Sequence, residues 1–279
     1  MKAKYINPFT DFGFKKIFGE EASKPLLIDF LTNLLPESHI VDLTFKDKEK
    51  RGKTEDERKA VYDIYCENNN GEKIIVELQK AKQNYFKDRT IYYSTFPIQE
   101  QAERGSWNFE LKYVYCVGIL DFKFEEEKSG KGEVIHSVQL KDQNNQVFYD
   151  KLKFVYLEMP HFQKQESELS SRLDKWLYFI KHLEDFEGIP EMFKDEIFRQ
   201  AFDKAEIAKY SAEERHEYEQ SLKIYRDLNN VIDTAYDDGK IEGKIEGKIE
   251  VAKQAKAMGL NVKDISTLTG LSEENINKL

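Results

Sequence analysis

Val61-Tyr62-Asp63-Ile64-Tyr65-Cys66-Glu67 and Ile74-Ile75-Val76-Glu77-Leu78-Gln79 are two β-rich runs separated by a segment containing Asn68-Asn69-Asn70-Gly71. An Asn-Gly step between such runs is a strong hairpin signal, so the two are expected to pair as antiparallel strands. Each run carries a carboxylate among apolar neighbours. The two-residue period sets Asp63 with Val61 and Tyr65, and Glu77 with Gln79 on one side of its strand. Two carboxylates facing each other across a hairpin cost free energy unless something positive lies between them. A hard divalent cation relieves that cost. Mg²⁺, which takes one or two carboxylates plus waters and phosphate oxygens, suits the arrangement better than Ca²⁺. The bare pattern fits equally an edge hairpin whose Asp63 and Glu77 point to solvent.

Ahead of the hairpin, Thr10 caps a short helix carrying Phe14, Ile17 and Phe18, and Gly19 ends it. Ser23 and Pro25 open a second helix with Leu26, Leu27, Phe30, Leu31, Leu34 and Leu35 on its apolar face, stopped by Pro36. A strand is expected over Ile40–Phe45, then a polar loop from Lys46 to Lys59. Behind the hairpin, Phe86–Arg104 reads as a helix weakened at Pro97, followed by a strand over Leu111–Leu120. Glu133–Leu140 and Gln146–Glu158 form a second hairpin around Asn144-Asn145.

After Pro160 the pattern is helical, with one stripe at Leu169, Leu173, Trp176, Leu177, Ile180 and Leu183 and another helix starting at Pro190. From Ser211 a further helix carries Ile224, Leu228, Val231 and Ala235, the spacing of a short coiled-coil seam. Gly-Lys-Ile-Glu then repeats three times from Gly239 to Glu250. A glycine in each turn costs about 1 kcal/mol of helix propensity, and the Lys240/244/248 and Glu242/246/250 rows repel within one helix. The segment is therefore either a flexible tether or a helix held by a partner helix. The last residues form a helical trio with Asn261 and Ser272 as caps, Gly259 and Gly270 as breaks, and a core of Ile265, Leu268, Leu271 and Ile276.

The 279 residues carry a net charge of −9, with 40% hydrophobic and 13% aromatic residues, which excludes a disordered chain. No apolar run approaches the roughly 18–20 residues that span a bilayer, and the first 25 residues are too charged for a signal peptide, so a cytoplasmic protein without membrane contact is expected. Cys66 and Cys116 lie in apolar runs and read as buried thiols, and the five histidines are scattered without local zinc spacing.

Asp63 and Glu77-Leu78-Gln79 are preceded by Asp11-Phe12-Gly13-Phe14-Lys15-Lys16-Ile17-Phe18-Gly19 and followed by Phe86-x-x-Arg89-x-x-x-Tyr93. This set resembles the PD-(D/E)XK nuclease superfamily, and more narrowly the family of recombination-promoting nucleases and transposases, over residues 1 to about 200. The resemblance implies an α/β, restriction-endonuclease-like core, a mixed central sheet flanked by helices, followed by an all-helical C-terminal region. The expected division is a nuclease-like domain over 1–200, a helical linker over 201–250 and a helix-turn-helix-like tail over 251–279. The implied activity is Mg²⁺-dependent DNA endonuclease hydrolysis, with Mn²⁺ as substitute, linked to recombination and mobile elements.

By that resemblance Asp63, Glu77 and the Leu78 carbonyl hold the metal, Gln79 orients the attacking water, and Asp11 completes the catalytic set, with Glu20 as the alternative. Lys82, Lys87 and Arg89 meet DNA phosphates. Gln79 stands where the superfamily has lysine, and an amide cannot supply that positive charge. The competing reading is a nuclease-fold binding or regulatory protein with weak or lost catalysis, acting through its helical C-terminal half. The tail sums to only +1 over residues 252–279, which favours assembly or docking over DNA reading. Self-association is expected through the region from about Ser221 to Glu250, with its exposed seam and opposed charge rows.

Overall fold

The computed structural model describes residues 3–50, 60–103, 105–124 and 132–279, with the side chain of Lys50 left out. The part of the expected polar loop over residues 51–59, and the expected helix end at Arg104, lie outside the described residues. In chain order the elements are α1 (Asp11–Phe18), α2 (Lys24–Leu34), β1 (Leu43–Phe45), β2 (Glu49–Lys50), β3 (Ala60–Val61), β4 (Ile64–Asn68), β5 (Lys73–Gln79), α3 (Phe86–Gln99), β6 (Val114–Leu120), β7 (Ile135–Lys141), β8 (Val147–Glu158), α4 (Arg172–His182), α5 (Glu196–Ala205), α6 (Ala212–Ala257), α7 (Val262–Thr269) and α8 (Glu273–Asn277).

One six-stranded sheet runs in the order β1-β4-β5-β6-β8-β7, and β2 and β3 form a separate ribbon. The β4–β5 hairpin is antiparallel, with Tyr65 opposite Ile75 and Ile64 opposite Val76. β5, β6 and β8 are parallel, and α3 lies in the connection between β5 and β6. The fold is therefore a mixed sheet with flanking helices, the restriction-endonuclease-like architecture, and the carboxylate-bearing hairpin sits inside the sheet rather than at its edge.

Two apolar layers cover the sheet. On one side Ile74, Val76 and Leu78 of β5 join Phe14, Phe18, Phe30, Trp176, Phe179, Phe198 and Phe202 from α1, α2, α4 and α5. Thr10 Oγ1 accepts the Gly13 amide at 2.9 Å to start α1. Gly13 is required there because a Cβ would lie 2.2 Å from the Asn7 carbonyl oxygen. On the other side Tyr62, Tyr65, Ile75, Cys116 and Tyr156 pack with Phe86 of α3. Pro97 in the last turn of α3 leaves the Tyr93 carbonyl without its helical donor. The Tyr62 hydroxyl donates to that carbonyl at 2.9 Å, so the helix passes through the proline and ends at Gln99.

Several boundaries differ from expectation for local reasons. The first strand begins at Leu43 because Val41, 77% exposed, faces water. The strand expected from Leu111 begins at Val114. Pro190 opens only a short turn, and α5 starts after Asp195, whose side chain accepts the Phe198 amide. His136 and His161, separated in sequence, both place Nε2 against buried Glu158, at 3.2 and 3.3 Å.

The chain divides into two compact units, Met1–Tyr225 and Arg226–Leu279, so residue 200 falls inside the first. Tyr5 bridges Glu206, the Asn7 amide donates to the Tyr218 hydroxyl at 2.9 Å, and the Tyr225 hydroxyl donates to Asp121 at 2.6 Å, which ties the start of α6 to the sheet-bearing core. In the second unit, the Gly-Lys-Ile-Glu repeat is continuous helix within α6. The tail core consists of Ala252, Ala255, Ile265 and Ile276 with Leu260, Val262 and Leu271 around it. Leu268, expected in that core, is 66% exposed.

Candidate active site

The first hairpin strand is not regular through Asp63. β3 stops at Val61 and β4 begins at Ile64, leaving Tyr62-Asp63 as a break in the ladder. Tyr62 and Tyr65 both turn into the α3 layer, their ring centroids 5.4 Å apart, while Val61 is exposed. The expectation that Val61, Asp63 and Tyr65 share one face is corrected accordingly. Strict alternation fails because two bulky tyrosines three positions apart are buried on the same side. Freed from the ladder, the Asp63 carboxylate turns into the gap beside β5, where Oδ2 accepts the Leu78 amide at 2.8 Å. In a strand the N–H and C=O of one residue point the same way, so the Leu78 carbonyl faces the same gap.

Glu77 lies one residue earlier on β5, opposite Gly118 of β6. Its Oε1 is sealed from solvent and has no hydrogen-bond partner. Burial pushes the Glu77 carboxyl up, the neighbouring Asp63 charge pushes it further, and the Asp63 amide and Arg89 charge offset part of this, leaving it at about 8. Burial likewise raises Asp63, opposed by the Leu78 amide and reinforced by the charge of Asp11. A buried orphan carboxylate oxygen beside a second raised carboxylate, with a backbone carbonyl at the same break, is an oxygen-only donor set short of positive charge. That chemistry fits a hard divalent cation. No group of three or more His, Cys, Asp or Glu side chains among the described residues is placed to hold a metal ion. Any further ligands would have to be the Leu78 carbonyl, water or substrate oxygens.

The remaining expected residues do not share one place. Asp11 stands at the start of α1, exposed and paired with Lys15 at 3.0 Å, and reaches Asp63 through its charge rather than as a neighbouring ligand. Glu20 is taken up by Lys16 at 3.0 Å and Lys204 at 3.2 Å. Lys82 is exposed in the segment before α3, and exposed Lys87 holds its ammonium 5.0 Å from the Phe124 ring centroid. Arg89 turns inward. Its Nη2 donates to Gln79 Oε1, its Nη1 donates to Gln83 Oε1 at 2.5 Å, and its guanidinium lies 5.6 Å from the Phe86 ring and 5.9 Å from the Tyr93 ring. Gln79 is buried, and its Nε2 donates to the Ala81 carbonyl at 3.0 Å.

Two lysines escaped the sequence reading. Burial pushes both Lys80 and Lys48 down against the upward pull of Asp11 and Asp63. Lys80, directly after the Glu-x-Gln triplet, lines a groove of about 650 Å³ with Asp11, Lys15, Lys16 and Gln220. Its position next to Gln79 was a usable signal, whereas nothing local marks Lys48.

No helix among the described residues is long and apolar enough to cross a membrane. No curated protein and no solved structure matches the chain. The sequence profile described as PD-(D/E)XK nuclease family transposase matches residues 8–235. That stretch takes in the whole sheet, the ladder break and both raised carboxylates, and the chain belongs to the PD-(D/E)XK nuclease family transposases.

Proposed function

We propose that the chain is a divalent-cation-dependent DNA endonuclease that hydrolyses phosphodiester bonds in recombination or mobile-element processes. The observation that carries this reading is the orphaned, buried Glu77 Oε1 beside Asp63 at the ladder break, two carboxylates that stay raised despite the nearby charges of Arg89 and Lys15. Asp63, Glu77 and the Leu78 carbonyl would hold Mg²⁺, or Mn²⁺ in its place, whose contribution there is to polarise the scissile phosphodiester and acidify a water molecule. The chain's own groups orient the substrate. Lys80 and Lys15, which line the groove, and the exposed Lys82 and Lys87 would meet phosphates, contacts that position nucleic acid without reading its sequence. Asp11, paired with Lys15, tempers that positive field.

Self-association through α6 belongs to the same reading. Val231, Ile241 and Ile245 are exposed along a helix whose lysine and glutamate rows repel internally and would attract in an antiparallel pair. Two copies would also suit cleavage of both strands.

The test is incubation of the purified full chain with supercoiled and linear DNA in Mg²⁺, in Mn²⁺ and in EDTA. Conversion to nicked or shortened products in either metal and none in EDTA supports the reading. Tight Mn²⁺ binding with intact DNA in every condition contradicts it and favours a binding role.

A further inference from the structure

Gln79 occupies the position where the family's parent motif carries a cation, yet the site is not without one. The Arg89 guanidinium reaches it from α3 and donates to Gln79 Oε1. Arginine is a donor only, so this contact fixes which end of the amide is which: Oε1 faces Arg89 and Nε2 faces away. One Nε2 hydrogen is used by the Ala81 carbonyl. No second acceptor for Nε2 is present among the described residues, which leaves its other hydrogen available. No ion pair of Arg89 is present among the described residues, and it is held instead by two glutamine amides and two aromatic rings. A guanidinium so placed acts with its charge on Glu77 as well as holding Gln79.

We infer that Arg89 is a positioning residue of the active site: it clamps Gln79 so that an amide N–H, backed by the guanidinium charge, faces the substrate phosphate in place of a lysine ammonium. The inference rests on the nuclease reading. It changes two roles expected from sequence. Gln79 presents a donor to phosphate oxygen rather than orienting the attacking water, and Arg89 acts from within the site rather than as a surface anchor for DNA. It also explains why lysine at 79 is absent: an ammonium there would stand against Arg89.

Four full-length proteins separate the possibilities: wild type, Arg89→Gln, Gln79→Lys and Gln79→Lys/Arg89→Gln, with Arg89→Lys as a conservative control. Each is read by thermal melting, by Mn²⁺ binding followed by electron paramagnetic resonance, by DNA binding in EDTA, and by cleavage in Mn²⁺. Arg89→Gln is expected to lower the cleavage rate at least tenfold while Mn²⁺ affinity is kept or tightened, because a positive charge has left the site, and DNA affinity in EDTA stays within about twofold. Gln79→Lys is expected to lose cleavage, and the double variant to recover at least tenfold over it.

The inference is overturned if Arg89→Gln weakens metal-free DNA binding by the same factor as cleavage, or if the double variant is no better than Gln79→Lys alone. Should Arg89→Gln melt far below wild type, Arg89→Lys decides: a folded protein cutting at the wild-type rate also overturns it, because lysine lacks the planar fork whose separate Nη1 and Nη2 donors hold Gln83 and Gln79. Wild-type protein that neither binds Mn²⁺ nor cuts removes the nuclease reading itself.

Discussion

Replacing Glu77 with glutamine keeps its shape and removes the charge that the fold resists. In the folded chain Glu77 titrates at about 8, against an ordinary 4.5. The sign follows from proton binding. Below about pH 4.5 both folded and unfolded chains hold the proton and no stability is lost; between 4.5 and 8 only the unfolded chain gives it up, so stability falls; above 8 the full penalty stands. At about 1.4 kcal/mol per pH unit the whole interval amounts to about 4–5 kcal/mol. Glu77 retains some exposed surface, so relaxation and water reduce the figure, and about 2 kcal/mol is a working value. Chemical denaturation of wild type and Glu77→Gln in EDTA, at pH 5 and pH 8, reads it directly. The variant is expected to gain about 1.5 kcal/mol more over wild type at pH 8 than at pH 5, roughly three quarters of the whole, and added Mn²⁺ at pH 8 is expected to stabilise wild type but not the variant. A difference between the two proteins that is the same at both pH values would refute the claim that Glu77 is a strained carboxylate.

Gly118→Ala should destabilise the fold by about 1–3 kcal/mol in denaturant titration, because its Cβ would lie 2.8 Å from Cδ1 of Tyr156, a ring fixed by the 2.8 Å Thr90 hydroxyl contact. The same change should weaken Mn²⁺ binding, since Gly118 lies opposite Glu77 and the two line a small cavity of about 20 Å³ with Phe86 and Tyr93. Ile241→Lys/Ile245→Lys in the full chain should halve the mass seen by light scattering at tens of micromolar; a wild-type protein that is already monomeric would sink the α6 pairing.

The hairpin and its two carboxylates were legible because an Asn-Gly turn between β-rich runs constrains pairing strongly and because a charge in an apolar strand stands out. The position of Asp63 was not, since a period of two presumes an unbroken strand, and the break depends on both Tyr62 and Tyr65 finding room against α3. Arg89 was visible as a basic residue on the next helix, but its direction is set by Gln79, Gln83 and two rings, contacts that no sequence spacing encodes. The continuous α6 ran against helix propensity at Gly239, Gly243 and Gly247, where the sequence left tether and helix open. Leu268 misled because periodicity marks an apolar position without saying which face is covered: the tail core is built from Ala252, Ala255, Ile265 and Ile276, and Leu268 is left exposed.

The central claim, that Asp63 and Glu77 form a metal-dependent hydrolytic site, is tested most directly by nicking of supercoiled DNA with wild type and Asp63→Ala purified in parallel, in Mn²⁺ and in EDTA. Asp63→Ala loses a hydrogen bond to the Leu78 amide but also relieves the repulsion with Glu77, so it should remain folded by circular dichroism. The account predicts nicking by wild type in Mn²⁺ alone and none by the folded variant. Equal nicking by both proteins would contradict it.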